Sequence, residues 1–315
     1  MIRMNAIFRT SLVFIMLALI MGLVGAVIDL IVGVHLIFLV IMCAVSVIMS
    51  IAAAWWSKPL ALKANKAQVI TREENPRLYG IVEKVANEAG LPMPEVGISA
   101  YTMPNAFATG RSPKNAAVVA TVGLLSILDD AELEGVIGHE MSHVKNRDIL
   151  VMSATSAVVD ILTYVSRIAY WSSLGDRDSR NSGLTIVLFV VGYLLVPIAG
   201  LLLQMGVSRS REYLADETGA RITKKPLALA SALHKLETGC SLPHNAIEET
   251  SHANMWISEP GQKKSNFLKT LLSTHPPTEK RIERLQKLAE KMKSGEVEEY
   301  RPEERYGNHS GLSFE

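Results

Sequence analysis

The sequence predicts a mainly helical α+β chain: one domain with a small sheet, and four transmembrane helices. Three observations carry this prediction. Two long uncharged runs open the chain, and another apolar pair interrupts its second half. Most of the remaining apolar residues recur at helical spacing. A cluster of short β-rich runs lies between about residues 95 and 121. The composition agrees, with 49% apolar residues and a positive mean hydropathy in 315 residues. Lys and Arg balance Asp and Glu to a net charge of +1, which carries no nucleic-acid footprint.

Residues 1–57 form an N-terminal hairpin. Thr10–Ile28 has no charge and is long enough to span the hydrocarbon of a bilayer. Leu30–Ser57 follows, with His35 as its only ionisable side chain. A cleaved signal peptide fits poorly, because the first run is too long and leads straight into another. The turn lies near Asp29–His35, and Trp55 and Trp56 suit the interface at the end of the second span. Arg3 and Arg9 precede the first span, Lys58, Lys63 and Lys66 follow the second, and the turn between them has no Lys or Arg. The positive-inside rule therefore places both flanks in the cytoplasm. Cys43 and Cys240 fall in unrelated contexts and imply no disulfide framework.

Residues 58–148 read as the first part of a globular domain. Glu73–Ala89 is an amphipathic helix with Leu78, Ile81, Val82 and Val85 on one face, ended by Gly90 and the prolines at 92 and 94. Strand-like runs follow at Val96–Ser99, Ala106–Thr109 and Ala116–Thr121. Asp129 and Glu132 then form a capping box for a helix with Leu133, Val136 and Ile137 on its apolar stripe. That helix carries His139-Glu140-x-x-His143. Positions i and i+4 share a helix face, so both imidazoles can reach one ion, and Glu140 is placed to meet water bound to it.

Residues 149–207 contain two apolar segments, Ile149–Ser166 and Leu184–Val207, on either side of polar Arg167–Gly183. Residues 208–293 complete the domain. A catalytic metal site needs a third protein ligand and an open position for water. Glu212, in Ser208–Glu217, is the candidate. Asp216 lies one turn further on, where it can accept the second N–H of a ligating imidazole. The chain between His143 and Glu212 must return to the side it left, so 149–207 crosses a bilayer twice or not at all. Two crossings is the reading taken, although Asp160, Arg167, Arg177 and Arg180 oppose it. A hairpin packed on the membrane surface or within the protein is the alternative. Pro226–Leu236 and Thr278–Lys293 read as amphipathic helices, His244 and His252 as surface histidines, and residues 294–315 as a flexible tail.

These motifs resemble the gluzincin metallopeptidases, and within them the HtpX family of membrane-embedded zinc proteases. The likeness extends to Met103–Gly110, which is similar to that family's substrate-binding edge strand. It also covers Arg211-Glu212-Tyr213-x-x-Asp216, and Thr274-His275-Pro276-Pro277 with Arg281. The resemblance implies a gluzincin-like domain with one Zn2+ per chain on His139, His143 and Glu212. Glu140 would be the catalytic base, and Asn105, Ala106 and Phe107 would hold substrate. His275 is either an oxyanion donor, as a histidine is in related gluzincins, or a structural residue tying the last helix to the domain. The implied activity is endopeptidase cleavage on the cytoplasmic side of the cell membrane. It would act on protein or peptide substrates, chiefly misfolded membrane proteins, in stress response and quality control. The implied environment is a lipid bilayer, with no nucleic-acid partner and no signal for an oligomeric state. Two rivals stand beside it. A prenyl-protein (CAAX) peptidase relative would need more membrane helices than this chain supplies. A membrane scaffold with a structural zinc would normally use Cys ligands, and no Cys lies near the motif.

Overall fold

The computed structural model describes residues 6–33, 35–152, 209–239, 276–297 and 300–301. Most of 149–207, the expected surface histidines His244 and His252, His275 and most of the expected tail lie outside them. The described residues form two compact units. One holds the N-terminal helices as far as Ala61, and the other runs from Leu62 to Ile149 and resumes at Arg209.

In the first unit, α1 (Ala6–Val32) and α2 (Ile37–Ala64) make a hairpin. The acid in this apolar region has a local reason. Both oxygens of the Asp29 carboxylate accept main-chain N–H groups, Phe38 at 2.9 Å and Leu39 at 3.0 Å, which are otherwise orphan donors at the start of α2. Gly25 lets α2 approach, because a Cβ there would lie 2.6 Å from the Phe38 oxygen. α2 runs past Ser57, where the sequence reading ended the hairpin. It bends by 73° between Ala52 and Trp55, one turn before Pro59, whose ring cannot sit against the carbonyl four residues back. Among the described residues no single helix is long and apolar enough to cross a membrane. The bent pair Ile37–Ala52 and Trp55–Ala64 passes together by length and composition, and within α1 Phe14–Leu23 is a shorter apolar stretch.

The second unit joins a four-stranded mixed sheet to a set of helices. Its strands are β1 (Ala67–Val69), β2 (Glu95–Ser99), β3 (Ala106–Gly110) and β4 (Ala116–Thr121), in the order β1-β2-β4-β3. β2 and β4 pair in parallel, and β1 and β3 are antiparallel edges. The two short elements β1 and α4 (Val122–Ile127) have no period that the sequence reading could detect.

Helix α3 (Pro76–Ala89) starts later than the expected Glu73. Pro76 occupies the first helical position and the Asn75 side chain caps the Leu78 N–H at 2.9 Å, so these two residues set the boundary. α5 (Asp130–Lys145) begins with the expected capping box, Asp129 and Glu132 each accepting the other's main-chain N–H. α3, α6 (Arg209–Thr223) and α7 (Pro226–Gly239) pack on α5, and α8 (Thr278–Lys293) packs on α6 and α7. The core between them and the sheet includes Leu78, Val82, Val118, Leu133, Ile137, Leu233 and Leu285. α5 is buried from Glu132 to Val144, so its apolar stripe serves the core while its histidines are held below the surface.

Candidate active site

His139 and His143 project from consecutive turns of α5, and Glu212 comes from the first turn of α6. Their three donor atoms converge. His139 Nε2 and His143 Nε2 are 3.3 Å apart, and the two Glu212 oxygens lie 3.6 and 3.5 Å from them. Two donors bound at about 2.0–2.2 Å to a tetrahedral ion sit about 3.3–3.6 Å from each other. The spacing is therefore that of a chelating set, and it is the one such group among the described residues.

The α5–α6 crossing explains how Glu212 arrives. Gly138 and Gly219 face each other with no room for a side chain. A Cβ on Gly219 would lie 2.6 Å from the His139 main-chain nitrogen, and one on Gly138 would lie 3.0 Å from the Gly219 oxygen. Glu212 is two turns before Gly219, on the same face of α6, so close crossing there carries its carboxylate to the histidines.

Each ligating imidazole is backed by a carboxylate. His139 Nδ1 lies 2.9 Å from Asp216, as the spacing predicts, and Arg281 grips that carboxylate with two donors at 2.7 and 2.8 Å. His143 Nδ1 lies 3.4 Å from Asp148, which in turn receives Arg211 Nη1 at 2.6 Å. The sequence reading missed Asp148 altogether and took Arg281 only as part of a resembling motif. The signal for Asp148 is its position five residues beyond His143, just outside the helix. Both contacts point the Nε2 atoms at the shared centre.

Electrostatics make the same demand. Four buried carboxylates (Glu140, Glu212, Asp148 and Asp216) face two buried guanidiniums, Arg211 and Arg281. With all four carboxylates ionised and both imidazoles neutral, the forms in which such groups bind a metal, the pocket would carry two surplus negative charges, the amount a divalent cation offsets. Burial opposes a charged His143 imidazole, but Asp148 and Glu212 outweigh it and lift that group to about 9. For His139 burial wins over Asp216, with Arg281 helping, and its proton affinity falls. Burial, with Glu212 nearby, pushes the Glu140 carboxyl up to about 8, against His143 and a hydrogen bond from the Ala108 main chain. The donor chemistry thus fits a metal ion, with Glu140 beside it.

The Ala108 hydrogen bond links this base to the sheet edge. Thr121 N–H donates to the Asn105 carbonyl at 2.9 Å, and the Asn105 N–H donates to Thr121 Oγ1 at 2.9 Å. In an antiparallel ladder the paired positions alternate. Residues 105, 107 and 109 therefore point their main chain toward β4, and 106 and 108 point theirs outward. Of the residues expected to hold substrate, Ala106 presents a main-chain edge, and Phe107 is buried. His275 lies outside the described residues, one position before Pro276.

Comparison with known proteins places these residues in context. The model for peptidase family M48 matches residues 72–289. The chain is 46% identical over 254 residues to a protease HtpX homolog of Thermococcus sibiricus, covering 78% of this chain and 85% of the relative. It is 45% identical over 255 residues to one of Pyrococcus furiosus, with 81% and 88% covered. It is 50% identical over 238 residues to one of Tropheryma whipplei, with 74% and 80% covered.

Proposed function

Because this chain belongs to peptidase family M48, and within it to the HtpX proteases, it is a metallopeptidase, and we propose that it is a membrane-integral zinc endopeptidase with its site on the cytoplasmic side. The observation that carries the proposal is the convergence of His139 Nε2, His143 Nε2 and Glu212 beside the buried Glu140 carboxyl. His139, His143 and Glu212 would hold one zinc ion. When bound, that ion supplies a Lewis acid for the scissile carbonyl and a water acidified toward a pKa of about 7.

The protein's own groups do the rest. Glu140, the general base, accepts a proton from the attacking water and delivers it to the leaving amine. Its raised proton affinity suits it to the second task. The main chain of Ala106 that faces away from β4 offers an edge to which an extended peptide adds as a further strand, beside the Ala108 N–H that binds Glu140. The Asn105 side chain, at the head of that strand, would hold the peptide's backbone. His275 would donate a hydrogen bond to the oxyanion.

Membrane integration rests on the apolar surface of the first unit. Leu19, Leu23, Leu30, Val40, Ile48, Trp55 and Trp56 are each more than half exposed, a concentration of bare large apolar side chains that suits lipid better than water. Basic residues at both flanks of this hairpin support the cytoplasmic assignment. Substrates would be unfolded or damaged membrane proteins, since an edge strand reads an extended backbone rather than a folded surface.

The test is purification in detergent with a chelator, then casein cleavage before and after zinc is added. Cleavage that appears only with zinc, at one ion per chain, supports the proposal. Zinc bound without cleavage would leave the structural-site rival standing.

A further inference from the structure

His143 has a support that the catalytic reading leaves unused. Its Nδ1 faces Asp148, and Asp148 and Arg211 form a buried ion pair between residues 63 positions apart. We propose that Asp148 and Arg211 are positioning residues for the metal, orienting His143 Nε2 and holding Glu212 opposite it. This rests on the metallopeptidase reading above.

The backbone is bent to make the contact. α5 ends at Lys145, and Arg147 then takes a φ of +59°, which a residue with a Cβ adopts only at a cost. That left-handed step closes a turn, with the Arg147 N–H on the Val144 carbonyl at 3.1 Å, and brings Asp148 back beneath His143. A continued helix would have carried residue 148 around the axis, away from the histidine face.

The partner's location matters as much. Arg211 immediately precedes Glu212, in the first turn of α6. Through Asp148, its guanidinium ties the turn that bears the third ligand to the second ligand's imidazole. The arrangement is the counterpart of the pair behind His139, where Asp216 shares a helix with Glu212 and Arg281 comes from α8. His143 therefore draws its support from the two chain segments flanking 149–208. Removing Arg211 takes one cation from the buried Asp148 carboxylate and leaves it less firmly placed against the imidazole.

The experiment uses the full-length protein in detergent, stripped with chelator. Zinc affinity is read by competition with a chromophoric chelator, and ligand geometry by the visible spectrum of the Co2+ form. Asp148→Ala and Arg211→Ala should each weaken zinc binding 10- to 100-fold and shift the cobalt spectrum, with partial rescue by Asp148→Glu and Arg211→Lys. Lys235→Ala is the control. It breaks the Lys235–Glu132 pair at 2.6 Å, remote from the ligands, and should lower thermal stability without moving zinc affinity. Wild-type affinity and an unchanged spectrum in Asp148→Ala, with a stability loss like that of Lys235→Ala, would make the pair structural and overturn the proposal. If Asp148→Ala does not fold, Asp148→Asn keeps the shape, and unchanged affinity and spectrum in it overturn the proposal equally. A wild-type protein that binds no zinc overturns the metallopeptidase reading as well, which separates the two failures.

Discussion

Gly138 and Gly219 pack backbone against backbone, and this contact sets how closely the metal-binding helix meets the helix that carries Glu212. A methyl group on Gly219 would have to lie 2.6 Å from the His139 main-chain nitrogen, so the helices must separate. Gly219→Ala should cost about 1–3 kcal/mol through overpacking and also weaken zinc binding, since Glu212 moves with α6. Thermal unfolding and metal content measured on the same preparation check both effects. Gly80→Ala is the comparison, because a Cβ there meets nothing within 4 Å.

Glu140→Gln keeps the side-chain shape and both histidines while removing the base. Zinc stoichiometry should stay at wild type and casein hydrolysis should vanish. Turnover near the wild-type rate would reject the assigned base.

Glu212→Gln exchanges a charged donor for a neutral amide. Zinc affinity should fall along with activity, measured by chelator competition. Equal affinity in the two proteins would move the third ligand elsewhere.

Arg281 is buried and doubly bonded to Asp216, with His139 and Glu212 in reach. Arg281→Ala leaves the Asp216 carboxylate buried without its partner, a loss of about 3–5 kcal/mol in such pairs. The variant should unfold at much lower temperature and bind zinc poorly. Calorimetry of the chelated and zinc-loaded forms distinguishes the two contributions. A wild-type melting temperature would show that α8 does not depend on this pair.

Acid sensitivity should arise in part from Glu134. Burial raises its proton affinity, but hydrogen bonds from Lys225 at 2.7 Å and Lys84 at 2.8 Å outweigh that and hold the carboxyl below its ordinary range. A carboxyl held low in the fold adds stability at pH values above its unfolded pKa, near 4.3, and loses that contribution as pH falls through the folded value. Glu134→Gln should therefore melt lower at pH 7 and show a shallower decline below about pH 4. Parallel melting curves for variant and wild type across that range would remove Glu134 from the account.

Sequence determined those features of this protein that repeat locally. The i, i+4 pair of histidines, the Asp129–Glu132 capping box and the inward stripe of α8 each follow from helical period, because neighbours on a helix are fixed by spacing alone. Asp216 was readable for the same reason, being one turn from Glu212. Tertiary structure decided the rest. Asp148 meets His143 only because Arg147 turns left-handed, and Arg281 meets Asp216 across 65 positions. β3 lies at the edge of the sheet because β4, not β3, inserts beside β2. None of these contacts carries a period. Each depends on which distant segments pack together, and for α5 and α6 that packing turns on two glycines that leave no mark in any hydrophobic pattern.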